Sequence, residues 1–198
     1  MSTSPPAAAA PSPSSERWRA DGVMLLVTVL WGFTFVTVKD ALAHADPFSF
    51  LTLRFCIGGL TLSVLARRRM FARQTLRRGA LLGTLLFFGF ALQTWGLVST
   101  PPSRSAFITG LYVVLVPMLG WALFRRVPHF TLWAGVAMAL GGLYLLSGAD
   151  LGLGLTLGDG LTLAGALAYA LHILFTERLA PKGDVVPLVA VQLWTVAL

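Results

Sequence analysis

Six long apolar runs, each close to the length of helix that crosses a bilayer, leave this chain few ways to fold. They fall at approximately 22–39, 47–66, 79–98, 105–124, 130–147 and 159–176. A seventh starts near Val185 and reaches Leu198 after 14 residues. A hydrocarbon core of ~30 Å takes about 20 helical residues. Backbone amides find no water in lipid, so such segments cross as helices whose hydrogen bonds are internal. The expected fold class is all-α, a polytopic transmembrane helix bundle. The seventh run is too short to span, and a helix ending there leaves its last carbonyls unsatisfied. That pattern is expected of an incomplete sequence; a re-entrant segment is the other reading.

Charge supports lipid as the solvent. Only 12% of residues are charged against 56% hydrophobic, with mean hydropathy +0.77, whereas soluble domains carry about 25% charged residues. The net charge of +7 and pI near 10.8 do not indicate nucleic acid, because the basic residues sit in short clusters between apolar runs, not along one polar face. Cys56 lies alone in an apolar run, and His44, His129 and His172 are too far apart for metal-ligand spacing. No phosphate-binding Gly-x4-Gly-Lys-Ser/Thr string occurs. No cofactor or metal is expected.

Residues 1–20 open with an uncharged Pro/Ala/Ser-rich stretch and are expected to form a disordered cytoplasmic tail. The first apolar run resembles a signal peptide in its flanking Arg17 and Arg19, but it is long, and Lys39 and Asp40 precede the small residues. An uncleaved first helix is the better reading. Twelve Lys and Arg fall in the tail and in the loops after runs 2, 4 and 6, while Lys39 and Arg104 fall on the other side. The positive-inside rule then expects a multi-pass protein of the cell's inner membrane with a cytoplasmic N-terminus.

A shift of 138 residues lays the sixth run on the first. Asp21-Gly22 falls on Asp159-Gly160, Leu25 on Leu163, Trp31 on Tyr169 and Asp46 on Asp184. Five helices precede the sixth, so the second unit is expected inverted, an arrangement typical of secondary transporters.

Several segments resemble one family. They are Leu30-Trp31-Gly32-Phe33-Thr34-Phe35, Lys39, Pro47 and Leu53-Arg54-Phe55. With them stand Leu92-Gln93-Thr94-Trp95-Gly96-Leu97, the run from Phe107 to Pro117 and Gly141-Gly142-Leu143-Tyr144. Together they are similar to the EamA repeat of the drug/metabolite transporter superfamily. The resemblance implies ten helices in two inverted five-helix repeats, the first complete at 21–147 and the second partial at 158–198. Many members carry a glutamate just after the fourth helix, where this chain reads Phe124-Arg125-Arg126-Val127-Pro128, so no acidic role is carried over there.

Arg54 stands out within its span. An arginine at membrane depth costs ~2.5–3.5 kcal/mol, and the nine large apolar residues of its helix supply roughly 3–5 in return. The helix inserts, but Arg54 should face protein or water. It is read either as an anion contact on a transport path or as a clamp on helix-end carbonyls or an acidic neighbour. Lys39 reads as an interfacial anchor. Trp31, Thr34 and Val38 share a helix face, with Gly32 permitting close approach, and line either a cavity or a packing seam. Pro117 is expected to kink the fourth span and free the carbonyl of Val113, with Tyr112 and Thr109 one and two turns earlier on the same side. Thr162, Tyr169, His172 and Thr176 form a semi-polar stripe in the sixth. The substrate-binding candidates are Arg54, Trp31, Thr34, Tyr112, Tyr169 and His172. Gly79-x-x-x-Gly83 and Gly135-x-x-x-Ala139 read as helix contacts.

These features indicate a secondary transporter or exporter of a small metabolite or drug, working by alternating access, with membrane lipid and the small-molecule substrate as its partners. A half-size or non-transporting protein that assembles as a dimer is one alternative, though small multidrug carriers have a buried carboxylate in the first helix and none is here. A membrane-embedded enzyme is the other, and it would need grouped Asp, Glu or His where the eight acids are scattered.

Overall fold

The computed structural model of the protein describes residues 13–125, 129–146 and 156–198. Residues 1–12, most of the expected tail, and Arg126–Pro128 at the missing glutamate lie outside them. Eight α-helices occur among the described residues: α1 (Pro13–Ala41), α2 (Pro47–Ala66), α3 (Arg73–Ser99), α4 (Pro102–Gly110), α5 (Tyr112–Phe124), α6 (Phe130–Leu146), α7 (Leu157–Leu179) and α8 (Val186–Ala197). Five segments are long and apolar enough to cross a membrane: 18–41, 47–71, 73–99, 102–124 and 157–179. The polytopic all-helical bundle read from the sequence is present.

Helix boundaries follow local chemistry. Asp46 caps α2 by accepting from Ser49 N at 2.9 Å, with Pro47 opening the helix. Thr156 and Asp159 form a reciprocal capping box at the start of α7. Asp184 accepts from Val186 N at 3.1 Å where α8 starts. Arg125, at φ 52° and ψ 27°, ends α5 in the left-handed region.

Three boundaries differ from expectation. α1 begins at Pro13, eight residues inside the presumed tail, and α3 begins at Arg73, six residues before its apolar run. Charge ends an apolar pattern but does not end a helix, because arginine is a good helix former. The fourth span is interrupted at Leu111, where the bonding tightens to Leu111 N to Ile108 O at 3.2 Å. Pro117 is housed within α5.

α3 and α7 form the centre of the bundle. Gly96 and Gly158 bring their backbones together: a Cβ on Gly96 would lie 2.5 Å from Thr162 Oγ1 and 2.6 Å from the Gly158 carbonyl. On another face of α3, Gly79 and Gly83 seat Val191 and Thr195 of α8, the helix contact expected of that motif. Gly32 and Gly135 have open space where a Cβ would stand among the described residues, so the close approaches expected there do not occur. Leu51, Phe55, Ala91, Val196 and Ala197 make one buried cluster joining α2, α3 and α8.

The ends of the bundle sort by charge. Lys39, at the end of α1, meets the end of α3, and the start of α7 lies beside Gly96 and Ser99. α7 therefore runs opposite to α1 and α3. At the far end Arg69 pairs with Asp184 at 3.4 Å and Arg78 Nη1 donates to Leu179 O at 3.2 Å, joining the arginine-rich turn to the α7–α8 loop. The 138-residue shift carries Ala41, the last residue of α1, onto Leu179, the last of α7. It also carries Asp46 onto Asp184; Asp46 caps α2, and Asp184 accepts from Val186 N at the start of α8.

Candidate functional site

Trp31, Thr34, Phe35 and Val38 of α1, Arg54 of α2, and Phe90, Gln93, Thr94 and Leu97 of α3 surround one cavity. The face shared by Trp31, Thr34 and Val38 thus borders this opening and also packs, with Val38 buried and Trp31 against Tyr112. The cavity is narrow, about 10 Å³ for a water-sized sphere, room for about one water.

Arg54 does not behave as a clamp. Its guanidinium carbon lies 5.7 Å from the Phe55 ring centroid and 5.5 Å from that of Phe90, within cation–π range. The two rings are themselves 4.7 Å apart. No carboxylate and no helix-end carbonyl among the described residues pairs with it. The clamp is Lys39, whose Nζ donates to the carbonyls of Leu97, Val98 and Thr100 at 2.6, 2.7 and 3.3 Å. An ammonium there satisfies carbonyls that α3 cannot bond internally and complements the negative end of its dipole. Lys39 is therefore drawn inward, where a snorkelling anchor would reach toward the surface.

A polar thread crosses behind the cavity. Tyr169 Oη donates to Gln93 Oε1 at 3.2 Å, and Gln93 Nε2 donates to Thr109 Oγ1 at 2.8 Å, linking α7, α3 and α4. Tyr169 also meets Phe90 edge-on, centroids 5.3 Å apart. Tyr112 stands 6.2 Å from Trp31, ring to ring. Five of the six sequence candidates are thus gathered in or directly behind one cavity.

His172 is the sixth and lies elsewhere. Its Nε2 is 2.8 Å from Gln192 Oε1 on α8, with Thr176 Oγ1 at 3.5 Å. The polar stripe of α7 splits, because Thr162 and Tyr169 face α3 while His172 and Thr176 face α8. Sequence reading missed Phe90, Gln93 and Thr94 as wall residues. A side-chain amide deep in an apolar run was the available signal, since Gln93 is buried and needs partners there.

Residues 18–148 match the EamA-like transporter family. The chain belongs to this family. It is 37% identical over 133 residues to an uncharacterized transporter of Archaeoglobus fulgidus, covering 67% of this chain and 42% of that protein. It is 27% identical over 178 residues to the uncharacterized transporter YvbV of Bacillus subtilis, covering 86% of this chain and 58% of that one. The chain spans about half the length of these relatives. No solved structure matches it. Family and apolar helices together make this EamA-family chain a multi-pass membrane protein.

Proposed function

We propose that this EamA-family chain serves as a secondary carrier in the cell's inner membrane, moving a small metabolite or drug outward by alternating access. The N-terminus lies in the cytoplasm, on the side of the arginine-rich turn. Residues 21–147 form one five-helix repeat and 158–198 begin a second of inverted topology.

The observation that carries this reading is the convergence on one cavity of residues from α1, α2 and α3, with Tyr169 of α7 behind them. Inverted repeats place substrate sites near their mutual interface, and the α3–α7 contact is such an interface. Ties between the two units stand at both ends: the Arg104–Asp159 pair at one, 2.7 Å and buried, and the Arg69–Asp184 pair at the other, exposed. Alternating access requires one end to part while the other holds, and paired contacts of this kind suit that exchange. EamA relatives named as transporters support the reading as well.

The test is counterflow in proteoliposomes holding the chain, with Gln93→Leu as comparison. Accumulation of a labelled solute against an unlabelled internal pool, reduced at least fivefold in the variant at equal folded protein, is the expected result. Accumulation that Gln93→Leu leaves unchanged would remove this cavity from the path.

A further inference from the structure

We infer that Arg54 receives the carboxylate of an organic monoanion with an apolar or aromatic body when this cavity widens in the transport cycle, its present volume of about 10 Å³ admitting about one water. The inference rests on the reading of this cavity as the substrate site and adds the class of substrate.

Depth comes first. Arg54 is the eighth residue of α2, about 10 Å along the helix from Pro47. Its guanidinium does not reach back to the near surface. It lies over Phe90, nine residues and about 13 Å from the end of α3. A cation held at that depth retains a strong field because little water screens it.

Charge balance comes second. No carboxylate among the described residues meets Arg54, and the two ion pairs between described residues lie elsewhere, at Arg69–Asp184 and Arg104–Asp159. The Gln93 amide is engaged with Tyr169 and Thr109, so among the described residues the guanidinium meets the Phe55 and Phe90 rings and the neighbouring Tyr169 phenol, and no anion. A carboxylate matches its fork of donors in both charge and spacing.

The count of cations limits the charge. Lys39 is committed to three carbonyls of α3 and Arg104 to Asp159. One guanidinium neutralises one negative charge, which disfavours a phosphate dianion. No carboxylate lines the cavity to receive an ammonium, which disfavours zwitterions. Phe90, Phe35 and Trp31 supply the apolar wall for the remainder of the molecule.

The experiment compares five probes of one shape by equilibrium dialysis on the complete chain in detergent micelles: phenylacetate, 2-phenylethanol, phenylethylamine, phenylalanine and phenyl phosphate. Phenylacetate should bind at least tenfold more tightly than each of the others. In Arg54→Gln its advantage over 2-phenylethanol should fall below twofold while 2-phenylethanol binds as before, and Arg54→Lys should recover part of it. Equal binding of phenylacetate and 2-phenylethanol by the unaltered chain would overturn the inference without any variant having to fold. Anion preference that persists in Arg54→Gln would also overturn it. The carrier reading fails separately: Arg54-dependent binding of phenylacetate without counterflow of it sinks transport and leaves the anion site standing. Counterflow of 2-phenylethanol as fast as phenylacetate does the reverse.

Discussion

Arg104 Nη2 lies 2.7 Å from Asp159 Oδ2, in a pair whose carboxylate is 2% exposed and whose guanidinium side chain is 15% exposed. It joins α4 to the first turn of α7, where Asp159 also accepts from the backbone N–H of Thr156. Removing one member of a buried pair strands the other, at a cost of roughly 3–5 kcal/mol. Arg104→Leu and Asp159→Leu should each lower the thermal midpoint markedly in detergent. The double variant Arg104→Leu/Asp159→Leu should recover much of that loss. Additive losses in the cycle would mean that the two side chains act independently.

The backbone contact at Gly96 sets up a second prediction. A methyl there would press on the Gly158 carbonyl, which cannot swing aside as a side chain can. Gly96→Ala should destabilise by about 2 kcal/mol or more, within the range for overpacking. Gly141→Ala has open space at its Cβ and should be neutral or stabilise by up to about 1 kcal/mol through helix propensity. Thermal unfolding of the two variants side by side decides it; equal shifts would refute the close approach.

Lys39→Met keeps the length of the side chain and removes its charge. Three carbonyls at the end of α3 then lose their donor. A loss of roughly 1–2 kcal/mol is expected, the range for a partly buried cation at a helix C-terminus. Hydrogen exchange at the last turn of α3 should accelerate in the variant. Unchanged protection there would show that the ammonium is not its cap.

Membrane orientation can be read with two fusions. A reporter joined after Arg69 should report cytoplasm, and one joined after Thr100 should report the opposite side. Arg69 and Thr100 lie at opposite ends of α3, so the same answer from both would contradict α3 as a crossing helix.

His172→Gln should bind phenylacetate within twofold of the unaltered chain, because His172 engages Gln192 and does not line the Arg54 cavity. A tenfold loss would place His172 on the path after all.

What the sequence could and could not reveal divides along a physical line. The all-helical class and the clustering of charge depend on length and composition, which a single chain displays directly, whereas six full spans were expected and five described segments are long enough to cross. The alignment of Asp46 with Asp184 was legible in the 138-residue shift, whereas their bonds to Ser49 N and Val186 N were not read from it. Trp31, Thr34 and Arg54 could be nominated because an unusual residue in an apolar run has few reasons to be there. Their meeting with Phe90 and Gln93 was not legible, since it depends on how far α3 is rotated against α1 and α2. The same gap explains His172, which shares a stripe with Tyr169 on paper but falls on the other side of a boundary between α3 and α8. That Lys39, and not Arg54, donates to helix-end carbonyls was not legible for a related reason. Which cation reaches a helix end is decided by where that helix stops, and the end of α3 was only approximate in the sequence.

The glycines along α3 carry a consequence for motion. α7 rests on the α3 backbone at Gly96 and α8 at Gly79 and Gly83, with Thr162, Val191 and Thr195 seated in the notches those glycines leave. Lengthwise sliding would drive Thr162 or Val191 out of a notch and against a neighbouring side chain. The two helices can tilt about those notches without leaving them. α3 thus holds α7 and α8 in register, while α1, the least enclosed of the spanning helices, is pinned to it at one end by Lys39.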